Sequence, residues 1–206
     1  MNLLIISASQ RSPSQSAKVA RYLAETTHSF DKINLIELCQ LNIPLWDGED
    51  ASKAMPASDW SGLQAQVNAA DALVLITPEW SGIASPRLKN FLMMCEAQHC
   101  AHKPALLISV VDSISGAYPI AELRMNAFKN NKLVAIPDHL IIRNVTEILN
   151  DFTQGGSALS HRDSQIRDRI AYSMHTLTHY AESLKSLRIA LANNPFPNEE
   201  SYQYGM

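Results

Sequence analysis

Within residues 9–16 the chain crowds four serine hydroxyls (Ser9, Ser12, Ser14, Ser16), the amides of Gln10 and Gln15 and the guanidinium of Arg11 into one polar turn. A helical pattern follows at once. Hydroxyls and open backbone N–H groups donate to the oxygens of an anion, the positive end of a helix favours its charge, and an arginine adds a bidentate contact. That inventory suits a phosphate held by side chains. The turn has no glycine, so it is neither a Walker loop nor a dinucleotide G-x-G-x-x-G. A plain polar loop in which Ser14 or Ser16 caps the helix accounts for the same residues, because most helices begin this way. A second segment, Thr77-Pro78-Glu79-Trp80-Ser81-Gly82, joins a proline, a large flat ring and a glycine. A stiff turn that exposes its backbone and carries one aromatic can hold a planar heterocycle by stacking and main-chain hydrogen bonds.

Other reactive residues have simpler readings. Glu79 either acts through its backbone beside such a heterocycle or bonds to neighbouring N–H groups or a partner subunit. Cys95, His99, Cys100 and His102 invite a zinc site, with Cys95 and His99 one helical turn apart, but their spacing fits no usual zinc pattern. A buried thiol and two surface histidines are the preferred account. Asp47, Glu49 and Asp50 read as a solvated loop. A phosphatase or nucleotide hydrolase built on the first turn lacks a cysteine nucleophile and a P-loop lysine there.

Hydropathic spacing predicts the elements that must position these turns. Residues 3–7 read as a strand buried on both faces, and a helix runs from Ser16 to about Thr26. Residues 33–38 are a second strand, 42–58 a long loop and 60–70 a second helix. The strongest strand pattern is 71–77, whose ladder Pro78 should end for lack of an N–H. A helix over 86–97 starts with Pro86 in its first turn and places Leu88, Phe91, Leu92 and Cys95 on one face. A strand over 104–111, a helix over 116–129 and a strand over 133–136 stopped at Pro137 complete the alternation. Residues 144–160 are a polar connection holding Gly155-Gly156. From Asp163 a long helix carries Ile166, Ile170, Met174, Leu177, Ala181, Leu184 and Leu191 on one stripe. Five strands separated by crossovers imply a doubly wound parallel α/β sheet with helices on both faces. In such sheets ligands bind beyond the carboxyl ends of the strands, where the polar turns lie.

Composition narrows the class. The chain has 206 residues, 46% hydrophobic and 18% charged, with 17 basic against 20 acidic residues and a net charge of -3. That describes one packed domain, residues 1–192, with a loosely ordered tail over 193–206, and it offers no basic excess to hold a nucleic acid. No apolar run nears the roughly 20 residues that span a bilayer, so no membrane partner is expected. Three cysteines in irregular positions read as free thiols in a reducing compartment, the cytoplasm.

The motifs resemble those of the flavodoxin-like NAD(P)H-dependent FMN reductases, a family that includes bacterial quinone, chromate and azo-dye reductases. The family's Ser-x-Arg-x-x-Ser-x-Asn is matched by Ser9, Arg11 and Ser14, with Ser16 where Asn is usual. Its Thr-Pro-Glu-Tyr-Asn stands as Thr77-Pro78-Glu79-Trp80-Ser81, and its Leu-Lys-Asn as Leu88-Lys89-Asn90. Ile43-Pro44-Leu45-Trp46-Asp47, Gly116-Ala117 and Leu123-Arg124 match further segments. The resemblance implies a strand order of 2-1-3-4-5, and FMN with its phosphate on Ser9, Arg11, Ser14, Gln15 and Ser16. It places the ring against Pro78, Glu79, Trp80, Ser81 and Gly82, with Ser115 and Gly116 at the turn after strand four. It implies NADPH or NADH as donor, and a quinone, azo compound, metal oxyanion or flavin as small-molecule acceptor. The flavin carries the chemistry, so no catalytic side chain and no metal are assigned. A homodimer or tetramer is implied, and Trp46, in a loop with few apolar neighbours, is expected to contact the partner. The turn Asp112-Ser113-Ile114-Ser115-Gly116 departs from the usual glycine-rich one and sets an acid near the ring's far edge. That keeps a non-catalytic flavin-binding or scaffold protein as the alternative.

Overall fold

The computed structural model describes residues 1–150 and 159–202. In chain order the elements are β1 (Asn2–Ser7), α1 (Gln15–Thr26), β2 (Lys32–Glu37), α2 (Asp50–Lys53), α3 (Trp60–Ala69), β3 (Ala72–Trp80) and β4 (Ile83–Ala84). There follow α4 (Pro86–Met94), α5 (Ala97–Cys100), β5 (Pro104–Val110), α6 (Ala117–Asn126), β6 (Val134–Ile142) and α7 (His161–Asn193). The sheet order is β2-β1-β3-β5-β6, all parallel, and β4 is a two-residue strand folded back on the end of β3. Leaving β4 aside, this is the expected 2-1-3-4-5 order.

The continuous apolar runs divide by strand parity. Leu3, Ile5, Val74, Ile76 and Ile108 join one core with α1 and α7, while Leu4, Ile6, Leu73, Leu75 and Leu107 join the other with α3, α4 and α6. Side chains alternate across a strand, so a run apolar at every position requires helices on both faces. The order reverses at β1, and the chain leaves the carboxyl ends of β1 and β3 there in opposite directions.

Both prolines expected to stop strands are instead passed by them. In β3, Ile76 faces β1, its carbonyl accepting from Ala8 at 2.9 Å. Pro78 has the same parity, so its missing N–H falls on the side where β1 has already turned away. On the other side the pairing continues to Pro78↔Val110. In β6, an edge strand, the register against β5 slips from Ala105↔Ala135 to Leu107↔His139, so Pro137 sits in a bulge. Arg124 Nη2 donates to the carbonyls of Ile136, Pro137 and Asp138 at 2.6, 3.0 and 3.2 Å, and the strand runs on to Ile142.

Three helices also differ from expectation. The helix from Pro86 breaks at Cys95, and α5 resumes it at Ala97; the one after β5 is trimmed to Ala117–Asn126; and α2 interrupts the long loop. In α7, Ile170, Met174, Leu177 and Ala181 are buried, whereas Leu187, Ile189 and Leu191 are 40%, 55% and 39% exposed. A 33-residue helix is about 50 Å long, and a nine-residue strand about 30 Å, so its end overruns the sheet. The turn Glu199–Tyr202 follows it, with Lys132 Nζ donating to the Tyr202 carbonyl at 3.1 Å. Gly155-Gly156 lies outside the described residues. Among those described, no helix is long and apolar enough to cross a membrane.

Candidate functional site

The first turn is built from its own hydroxyls. Ser9 is buried, and its Oγ accepts the Arg11 N–H at 3.1 Å. Ser14, in an extended conformation, caps α1 by accepting the Ala17 N–H at 3.1 Å. This leaves the N–H groups of Gln15 and Ser16 without a protein partner among the described residues. No acid stands in the first turn of α1 to occupy them. Arg11 is exposed, and its guanidinium lies 5.0 Å from the centroid of the Trp80 ring.

The second turn is locked from below. Thr77, wholly buried, donates through Oγ1 to the Pro78 carbonyl at 2.9 Å and accepts the Ser85 N–H at 2.8 Å. Glu79 pairs with Ala84 and Trp80 with Ile83 around the two-residue turn Ser81-Gly82, whose φ values are +53° and +74°. Two left-handed residues make the hairpin turn whose twist matches that of its strands. The Glu79 Oε2 atom is buried without a hydrogen-bond partner among the described residues. Glu122 steadies the hairpin by accepting the Ala84 N–H at 2.7 Å and pairing with Lys89 at 2.9 Å. Burial pulls the Glu122 carboxyl up, but those two partners hold it below the usual carboxylate range.

The third turn follows β5. Asp112 does not hang free: its Oδ1 accepts from Thr146 Oγ1 at 2.7 Å and from the Thr146 N–H at 3.4 Å. Ser113 and Ser115 share a hydroxyl contact at 2.9 Å, and the Ser115 carbonyl accepts from Arg143 Nε at 2.8 Å. Gly116, at φ +107°, starts α6 where a Cβ would stand 2.4 Å from Ile141 Cγ2, so both conformation and space require glycine.

Between these turns opens a cleft of about 1080 Å³. Ser9, Arg11, Ser14, Gln15 and Ser16 line it from one side, Pro78, Glu79 and Trp80 from another, and Ser115 from a third. Ser81, Gly82 and Gly116 do not line it; they shape the turns that do. The cleft also reaches residues that sequence reasoning passed over. Lys18, Tyr22 and Thr26 repeat every fourth residue after Ser14, one face of α1, a spacing that was there to be seen. Lys18 Nζ donates to the Val145 and Ile148 carbonyls and to Asn150 Oδ1 at 2.5, 2.9 and 2.9 Å, tying the segment after β6 to α1. Arg167 lies over the Tyr22 ring at 4.9 Å and bonds to Asp163 at 3.0 Å. No local pattern announces the Arg167–Tyr22 contact, although Asp163 and Arg167 stand one helical turn apart.

The remaining candidates lie elsewhere. Cys95 and Cys100 are buried, and burial pushes the Cys95 thiol up. Among the described residues no three His, Cys, Asp or Glu are grouped to hold a metal ion. Trp46 is half-buried, packed on the second core, with Lys53 Nζ 4.4 Å from its ring and its backbone N–H bonded to Asn90 Oδ1 at 2.8 Å. Asn90 thus ties the Trp46 backbone to α4, and the large apolar side chains most exposed in that loop are Leu45, at 83%, and Met55, at 54%.

Residues 1–147 match the family model described as NADPH-dependent FMN reductase. The chain is 31% identical over 116 residues to an NADPH azoreductase of Bacillus sp. (strain OY1-2), covering 56% of this chain and 62% of that one. It is 26% identical over 121 residues to a quinone reductase of Pseudomonas putida, covering 57% and 63%. The matches thus span about three-fifths of the length of these relatives. Among solved structures, an oxidoreductase from Corynebacterium diphtheriae superposes with a TM-score of 0.67 at 15% identity, covering 88% of this chain and 97% of that one, a likeness of fold.

Proposed function

The chain belongs to the NADPH-dependent FMN reductase family, and from that premise we propose that it holds FMN in the cleft and reduces a small acceptor at the expense of NADPH or NADH. The observation that carries the reading is the open donor set at the first turn. The Gln15 and Ser16 N–H groups, the Ser9, Ser14 and Ser16 hydroxyls and the Arg11 guanidinium converge on one edge of a cleft whose next wall is a rigid aromatic turn. These are the groups that a terminal phosphate joined to a flat ring system requires.

When bound, FMN supplies the two-electron redox centre. The chain contributes position. Ser9, Arg11, Ser14, Gln15 and Ser16 hold the phosphate; Pro78, Glu79 and Trp80 face the ring; Ser81, Gly82 and Gly116 keep the turn backbones, including Ser115, in place beside it. Fixed N–H dipoles at the ring's edge favour its reduced form without reorganising. Quinones and azo compounds lead as acceptors, because the relatives carry those names, ahead of metal oxyanions and free flavin. The Thr146 contacts engage Asp112, which favours turnover over a scaffold role. A homodimer or a tetramer fits the exposed apolar residues Leu45, Met93, Tyr118 and Met125, at 83%, 57%, 69% and 81%. The flavin unit is residues 1–192, in the cytoplasm.

Purified protein should show the two visible absorbance bands of a flavin and oxidise NADPH only when a quinone is supplied. Failure to take up FMN would remove the reading; uptake without oxidation of NADPH or NADH would restore the scaffold alternative.

A further inference from the structure

Arg11 and Trp80 belong to different turns, yet the guanidinium rests 5.0 Å from the indole centroid. Among the described residues Arg11 has no ion pair, and its main chain is fixed by the bond from its N–H to Ser9 Oγ. The backbone that carries the indole is the fixed member. Trp80 is paired with Ile83, and the two left-handed residues after it close the hairpin. An arginine reaching a ligand unaided loses side-chain freedom at that moment, whereas one already laid on a ring has lost part of it beforehand. The two contacts do not compete. A guanidinium laid by its flat face on a ring keeps its N–H groups in the plane, free to form a fork on a phosphate.

We propose that Trp80 is the positioning residue for Arg11, so that the aromatic at position 80 sets how strongly the cleft prefers a phosphorylated flavin over an unphosphorylated one. The inference rests on the FMN reading above. One face of the indole is thereby committed to Arg11, which leaves only the other for a bound ring.

The test is a set of flavin-fluorescence titrations with FMN and with riboflavin on the wild type, Trp80→Leu, Trp80→Phe, Arg11→Ala and the double variant Arg11→Ala/Trp80→Leu. Trp80→Leu should weaken FMN roughly two- to fivefold more than it weakens riboflavin, the worth of a partly exposed cation–π contact. Trp80→Phe should recover most of the loss, and it guards against a leucine variant that folds poorly. Once Arg11 is alanine, removing the indole should cost FMN no more than it costs riboflavin. Equal losses for FMN and riboflavin, or the same loss with and without Arg11, would overturn the proposal while leaving the FMN site standing. A wild type that binds both flavins equally would overturn the phosphate site and this proposal together.

Discussion

Arg11 and Gly116 show how differently single residues serve one cleft. Arg11 is exposed and bears on no core, so Arg11→Ala should weaken FMN by about 1.5 to 3 kcal/mol, the range for a hydrogen bond to a charged group, with the thermal midpoint unmoved. Wild-type affinity in a less stable variant would make Arg11 structural. Gly116→Ala drives a methyl toward Ile141 at a left-handed φ, and we expect a loss of about 1 to 3 kcal/mol in denaturant unfolding. Lys103, at the far end of β5, has a pH signature. Its buried Nζ donates to the Val67 and Asn68 carbonyls at the end of α3, both at 2.7 Å. Burial, with Arg188 nearby, pulls its pKa from 10.5 to about 8. Between those values the unfolded chain binds the extra proton, so the Lys103 contribution to stability rises with pH across that window. Unfolding at pH 7.5 and pH 10 should show the wild type gaining on Lys103→Met; identical pH slopes would mean that the ammonium is no less stable inside than in water.

Among the elements, β6 depends on one side chain from α6. Arg124 resembles a family motif residue, yet it serves three carbonyls of the Pro137 bulge and lies outside the cleft. Arg124→Met should therefore cost about 1 to 3 kcal/mol of stability through unsatisfied carbonyls and leave FMN titrations unaltered. A variant of normal stability that binds FMN poorly would reverse that assignment. The element case also explains why Pro78 and Pro137 were misleading. A proline stops a strand only where its missing N–H would have met a neighbour, and one sits beyond the end of β1 while the other sits in a bulge on the sheet's edge.

For the whole molecule, the exposed apolar residues Leu45, Met93, Tyr118 and Met125 argue for association. Sedimentation of the FMN-loaded protein at micromolar concentration should show no species near 22.8 kDa. Leu45→Glu should release monomer and flavin together if the 42–50 loop of one chain helps to wall the site of another. A flavin-loaded wild-type monomer that turns over normally would rule out a shared site.

The apolar runs, their helical intervals and the polar turns after strands one, three and four were legible in the sequence, because buried parallel strands and helix starts follow local rules of period and capping. So were the residues around the cleft at Ser9, Arg11, Ser14 and Pro78 to Trp80. Three things were decided only by tertiary structure. Arg11 meets Trp80, Asp112 turns to Thr146, and the cleft extends along Lys18, Tyr22 and Thr26. In the first two the partners lie 69 and 34 positions apart. In the third, the face of α1 was readable, but that the cleft follows it depends on the segment after β6 and on Arg167 of α7. Local propensity specifies each strand and turn; which side chains then touch depends on strand order and on the direction in which each chain leaves the sheet.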